Sequence, residues 1–247
     1  MKPAYEYCIS FANDPQVILN EYIKGQEFST EGLMVDGRFY MTGISERAFH
    51  YEKYKPLFVE IGDVMPTLLE ASEVQACADL THKAAIELGI TNGIVKGDLI
   101  RGEDDGEFRV LELTPRLGGP RFGTEMIPLS NGTNILKAAI QQALGEKIDM
   151  ELLRPKYHLG MVNRTIFAKP GRLKFISGLE AIKELPGYYD FKWWKAKSPK
   201  IGDVISAPQS MSDGPGYVIV TGSDRDEAIA NADRIEAMII FETEEEV

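Results

Sequence analysis

Residues 94–116, IVKGDLIRGEDDGEFRVLELTPR, gather the side chains of this sequence best placed to do chemistry. Two arms that alternate by twos flank the turn Glu103-Asp104-Asp105-Gly106, which puts Lys96 and Asp98 on one face of the first arm and Glu112 and Thr114 on one face of the second. With the turn centred near Asp105, Asp98 lies opposite Glu112, and Lys96 lies opposite Thr114. Directly opposed carboxylates sit roughly 5 Å apart, and like charges in that position destabilise a ribbon unless something positive lies between them. A divalent cation meets that condition. An all-oxygen donor set suits magnesium, which takes one or two carboxylates and completes its octahedron with phosphate oxygens and water. A solvated hairpin face explains the same residues without a ligand, and the hairpin alone leaves both readings open.

The elements that must position these residues follow from pattern. With 247 residues, 44% of them hydrophobic, the chain has material for one large domain or two smaller ones around a real core. Residues 3–11 predict a short helix with Tyr5, Cys8 and Phe11 in one apolar stripe, and residues 16–23 predict a strand. Arms at 28–35 and 38–44 meet at Asp36-Gly37, a two-residue hairpin turn. The stretch 45–56 reads as polar and mobile, and 57–64 as a strand closed by Pro66. Helical periodicity over 72–88 predicts a helix packed against the sheet that carries the acidic hairpin.

After the hairpin, 117–123 is glycine-rich, and 131–144 predicts a helix ended by Gly145. A second region opens near Glu151 with a strand at 157–167, a break at Pro170-Gly171 and short strands through Trp194. Strand, helix and strand then follow at 216–222, 224–237 and 238–241, with Asp224 as N-cap and Glu227 completing a capping box. The terminal glutamate run reads as a solvated tail. The fold class is α+β, divided at 1–150 and 151–247.

A formal net charge of -11 repels nucleic-acid phosphates and anionic membrane surfaces, so neither is an expected partner without a local basic patch. The stretch 191–200, FKWWKAKSPK, interleaves tryptophans with lysines in a way that could stack bases, and alternation in a half-exposed strand explains it better. Cys8 and Cys77 stand far apart without metal or redox spacing, and no run nears the roughly 18 apolar residues of a membrane span. Together these point to the cytoplasm. His50, His82 and His158 have no partner at ligand spacing and read as surface or packed residues. No Ser, Cys and His set suggests a covalent nucleophile, so the chemistry is positional and electrostatic.

Several further segments fall into order around the hairpin. The stretch 18–29, ILNEYIKGQEFS, runs a strand into Gly25 with Glu27 just beyond, where freed backbone groups can read an adenine edge and a carboxylate can accept from ribose hydroxyls. E-Y-I-x-G-x-E-F-S, the D-G hairpin, a helix, the K-x-D strand and E-x-T-P-R-x-G-G together resemble the ATP-grasp superfamily, specifically its carboxylate–amine ligases, over residues 17–147. From residue 157 the tail, with KPGRLKFISGLE and GYVIVTGSDRDEAI, resembles the C-terminal lobe of amino-acid ligases and biotin-carboxylase-like members.

That resemblance implies a large ATP-grasp subdomain on an antiparallel sheet with packed helices, followed by a smaller C-terminal α/β lobe. It implies ATP and Mg2+, or Mn2+, as cofactors. Glu21 and Ile23 would offer backbone groups to adenine, Glu27 would hold the ribose, and Asp98, Glu112 and Thr114 would ligate the metal, Thr114 standing where the family has asparagine. Lys96 and Arg116 would act on the phosphoryl group and carboxylate, with Gly118 and Gly119 forming an anion-binding turn and Arg121 a second charge beside it. Glu31 and Glu60 lie next to this region as candidates to face a substrate, and Asp63 replaces the histidine such relatives often carry after E-I-G. The implied partners are a small carboxylate, a small amine and a separate N-terminal lobe or chain; a homodimer is compatible with the sequence. Only residues 1–16 precede the first strand, so the resemblance implies a part of a longer or split ligase, or a noncatalytic nucleotide-binding remnant.

Overall fold

Alternation of packed and polar side chains along paired strands decides the architecture. A computed structural model describes residues 2–14, 16–49, 57–195 and 198–244. Helix α1 (Lys2–Ile9) is followed by β1 (Gly25–Val35), β2 (Arg38–Phe49), β3 (Glu60–Met65), α2 (Ala71–Glu87), β4 (Gly93–Gly102) and β5 (Phe108–Thr114). A π turn at Phe122–Met126 leads into α3 (Ile127–Asn131) and α4 (Ile135–Ala143). Then come β6 (Gly160–Ile166), β7 (Gly171–Ser177), β8 (Tyr188–Trp193), β9 (Val204–Ile205), β10 (Gly216–Gly222), α5 (Arg225–Met238) and β11 (Ile240–Glu244).

An eight-stranded sheet runs β5-β4-β1-β2-β3-β6-β10-β8, and every pairing in it is antiparallel. It therefore passes without a break from the first half of the chain into the second, while β11, β7 and β9 form a small sheet of their own. One face of the large sheet is sealed by helices. α2 covers Phe28, Leu99, Met34 and Val95 with Cys77 and Ala85, and α5 covers Val64, Val162, Val218 and Val220 with Ala228, Ala232 and Ile235. The opposite face is roofed at one end, where Phe122, Met126 and Ile127 pack on Met65, Met161 and Ile219, and Ile135 and Ala138 pack on Leu33. The remainder of that face carries polar side chains.

The hairpin at Asp36-Gly37 forms with both residues at positive φ, 46° and 78°, as a turn matched to strand twist demands. Helix α2 forms where its periodicity places it and packs against the hairpin sheet. Elsewhere the chain departs from expectation. Residues 16–24 form no strand, because β1 already has β2 and β4 on its two edges; Ile18 and Leu19 stay 85% and 78% exposed. Residues 45–49, expected to be mobile, continue β2; residues 50–56, including His50, lie outside the described residues. The helix expected over 131–144 forms as α4 and ends before Gly145 as expected, but it starts late, since Gly132 at φ 77° ends α3 and the Asn134 side chain caps α4 by accepting from Lys137 N. At α5 Asp224 caps as expected, accepting from Glu227 N at 2.9 Å, but the Glu227 carboxylate reaches Ser223 N rather than the cap residue's own N–H. Trp193 and Trp194 pack into different clusters on opposite faces of β8's end, as strand alternation requires.

Leu99 is fully buried between the sheet and α2, in contact with Phe28 and Cys77. Leu99→Ala is expected to cost about 2–5 kcal/mol by leaving a cavity that the paired strands cannot close. Urea denaturation measures it, and a loss well under 1 kcal/mol contradicts this packing.

Candidate functional site

Three cross-strand rows build the polar face. Cα pairing sets Glu112 beside Asp98, Asp98 beside Ser29 and Ser29 beside Ser45. The next row sets Thr114, Lys96, Glu31 and Gly43 side by side. A third sets Arg47, Asp63, Asn163, Ile219 and Asp190 side by side, across β2, β3, β6, β10 and β8. Paired residues project to the same side of a sheet, so the carboxylates of Asp98 and Glu112 share a face. A register irregularity follows immediately, between Asp98 and Leu99.

Arg47 joins the rows. Its guanidinium lies 3.3 Å from Glu27 Oε2 and 3.4 Å from Asp98 Oδ2, and it contacts Glu60 at short range. Burial works against its charge, but Glu60 and Asp98 more than compensate and hold its pKa above the ordinary arginine value. Asp98 is buried; its Oδ1 accepts from Ser29 Oγ at 2.8 Å and its Oδ2 contacts Lys96 Nζ. Asp63 is buried as well and accepts from Ser45 Oγ at 2.7 Å. Burial, then the charge of Glu60, pushes its pKa up, against the pull of Ser45, Arg47 and Lys96.

Glu31 is wholly buried beneath the glycine loop, where one carboxylate oxygen accepts from Gly118 N–H and the other, Oε1, has no partner. The loop closes on it because Gly118 and Gly123 have no Cβ: one at Gly118 would lie 2.9 Å from Glu31 Oε2, and one at Gly123 would overlap the carboxylate. The Gly118 N–H that the sequence assigns to an external anion thus already has an internal one. Gly119 is open, with nothing within 4 Å of an added Cβ, and Arg116 is exposed, donating to Leu117 O at 2.9 Å. Arg121 pairs with Asp190 at 2.7 Å and with Glu125.

Glu112 is exposed, and Thr114 Oγ1 is a buried hydroxyl without a hydrogen-bond partner among the described residues. A hydroxyl oxygen one same-face position along the ladder from the Asp98–Glu112 pair is a hard donor of the kind a small divalent cation takes. Among the described residues no group of three or more His, Cys, Asp and Glu side chains is placed to hold a metal. Glu21 and Ile23 lie in the stretch ahead of β1, and among the described residues their backbone groups enter no ladder or turn. They line an open cleft with Lys24, Gly102, Asp105 and Arg109. His82 is packed, bonded to Gly37 O at 2.8 Å.

Sequence reasoning brought Lys96, Asp98, Glu112 and Thr114 together and passed over Arg47, Ser29, Ser45 and Asn163. The signal for Arg47 was the two-residue alternation Ser45, Arg47, Phe49, which extends β2.

Residues 164–244 match the family model described as L-amino acid ligase C-terminal domain 2. No curated protein matches the chain. Among solved structures, an L-amino acid ligase from Bacillus licheniformis is 23% identical with a TM-score of 0.76, over 90% of this chain and 53% of that one. A phosphoribosylglycinamide synthetase from Anaerococcus prevotii is 20% identical with a TM-score of 0.74, over 97% and 59%. The biotin carboxylase domain of Hydrogenobacter thermophilus 2-oxoglutarate carboxylase, solved with MgADP, ADP and bicarbonate, is 15% identical with a TM-score of 0.68, over 98% and 51%. The chain spans somewhat more than half the length of these structures. It shares the fold of these structures, the antiparallel-sheet architecture that the resemblance noted in the sequence implies.

The Glu31 carboxyl is pushed up to about 7 from 4.5 by burial, against the pull of Gly118 N–H, Lys96 and Arg116. A raised acid binds its proton more tightly when folded, so stability falls as pH rises from about 4.5 to about 7 and levels off above. Glu31→Gln is expected to make Tm less dependent on pH across that window, leaving the part due to Asp63. Calorimetry at stepped pH reads this, and identical slopes for the two proteins contradict it.

Proposed function

We propose, from the ATP-grasp fold, that the chain is the C-terminal part of an ATP-dependent carboxylate–amine ligase, with residues 1–150 as its nucleotide and metal half and 151–247 as its C-terminal lobe. The observation that carries this reading is the register placing Asp98 against Glu112 and Lys96 against Thr114, on the face that also holds Arg47. Asp98, Glu112 and Thr114 would hold Mg2+, or Mn2+. When bound, the cation supplies charge neutralisation at the phosphate oxygens. The free backbone groups of Glu21 and Ile23 meet adenine, and Glu27, steadied by Arg47, takes the ribose.

Lys96 and Arg116 stabilise the phosphoryl group and the incoming carboxylate, whose negative charges otherwise repel each other. A carboxylate oxygen attacks the γ-phosphorus and ADP leaves. The amine nitrogen then attacks the acyl carbon of the acyl-phosphate, forming the C–N bond as the C–O bond breaks and inorganic phosphate departs. Gly119 and Arg116 border the glycine turn at which anionic groups gather.

The other half of the nucleotide clamp comes from an N-terminal lobe, in the same protein or another chain. Tyr7, Phe11, Ile18, Leu19 and Tyr22 are exposed along the front of the chain and provide an apolar surface for it. The partners are a small carboxylate and a small amine, and the compartment is the cytoplasm, in keeping with two free cysteines. Without the lobe the chain binds ATP weakly and turns it over poorly. Thr114 in place of a carboxamide favours a second reading, a noncatalytic nucleotide-binding module. It predicts no ADP release even when the lobe is supplied.

In the protein completed by its N-terminal lobe, Glu112→Ala is expected to lower magnesium-dependent ADP release on the order of 100-fold, as loss of a metal ligand does. Folding should be unaffected, since Glu112 is exposed. An unchanged rate with an unchanged melting curve refutes the assignment.

A further inference from the structure

Past the ionic centre, the third row leads from Arg47 through Asp63 to Asn163, two strand spacings or roughly 10 Å away on the same face. Asn163 and Thr165 are two residues apart on β6 and point the same way. Both are 1% exposed. Among the described residues neither Asn163 Nδ2, Asn163 Oδ1 nor Thr165 Oγ1 has a hydrogen-bond partner, and Trp194 Nε1 is likewise buried and unpaired there. The row pairs Thr165 with Tyr217, and the Trp194 ring packs on Tyr217 at 4.7 Å, so the orphaned atoms lie along one stretch of the sheet. An unmade hydrogen bond at a buried polar atom is costly, and four on neighbouring side chains call for an occupant.

We infer that Asn163 and Thr165, bordered by Trp194, form a neutral donor–acceptor subsite for an uncharged polar group, a carboxamide or hydroxyl, on one of the substrates. This rests on the ligase reading for the identity of the bound molecule, and extends it to what that molecule carries. The chemistry selects the group. Asn163 and Thr165 both donate and accept, and Trp194 Nε1 only donates. An ammonium leaves the donors unmet and a carboxylate leaves Asn163 Oδ1 unmet, while the charges nearby, Arg121 with Glu125 and Asp190 and Asp63 beside Arg47, already offset one another. A neutral amide or hydroxyl satisfies both kinds. A site of this type rejects analogues that lack the polar group, because its own atoms are then left unpaired.

Two measurements on the chain as it stands test this. Thr165→Val, close to isosteric, and Asn163→Leu remove groups that are unpaired in the empty protein. Each is expected to hold or raise Tm, by about 2 °C or more where the variant packs well. The Asn163 side-chain NH2 signals in 15N-correlated NMR are expected to shift with millimolar propionamide and not with propionate, and Thr165→Val should weaken that response about tenfold. A fall of several degrees for Thr165→Val means that the protein or a trapped water already satisfies the hydroxyl, and overturns the inference. So does the absence of a propionamide shift, or an equal one with propionate. Neither readout involves nucleotide, and MgADP binding to the protein completed by its N-terminal lobe shows separately whether the ligase reading holds.

Discussion

One guanidinium organises the polar face. Removing a single ion from water costs several kcal/mol, whereas one ion pair near 4 Å returns on the order of 4 kcal/mol at an effective dielectric near 20. A lone partner would barely offset the burial of Arg47; contact with Glu27, Glu60 and Asp98 does so with a margin. Those contacts tie β1, β2, β3 and β4 together and hold the buried Asp98 carboxyl in place on the face proposed for the cation. The serines at 29 and 45 serve the same end, each giving a short hydroxyl bond to a buried acid.

Much of this was legible in the residues. The pairing of Asp98 with Glu112 and of Lys96 with Thr114 follows from alternation around a turn, a local property, and β4 and β5 reproduce it. Gln16 to Ile23 misled because its apolar alternation is that of a strand, while pairing depends on whether a sheet edge is free, which no local pattern encodes. The helix expected over 131–144 forms but starts four residues late, at Ile135, for a local reason: Gly132 and Asn134 carry capping chemistry inside an apolar period. Arg47 was hidden by composition, since a polar stretch reads as loop until its period of two is noticed.

Glu31 shows a different limit. A glutamate on a strand beside a glycine loop invites a role toward ligand, yet the loop turns back over it, and Gly118 and Gly123 are small so that its carboxylate fits beneath them. The glycines serve an internal anion as much as an external one. The polar face thus grades from charged residues at β4 and β5, through Arg47 and Asp63, to neutral groups on β6, the order in which the proposed nucleotide, carboxylate and neutral substrate end would lie.

The central claim is that Asp98 and Glu112 face each other in order to share a cation. Its most direct test is an anomalous difference map from crystals grown with Mn2+ and a non-hydrolysable ATP analogue, the N-terminal lobe being present. The account predicts a manganese peak at coordination distance from both carboxylates, with phosphate oxygens completing its shell. Manganese bound elsewhere, or analogue bound with no peak between Asp98 and Glu112, contradicts it.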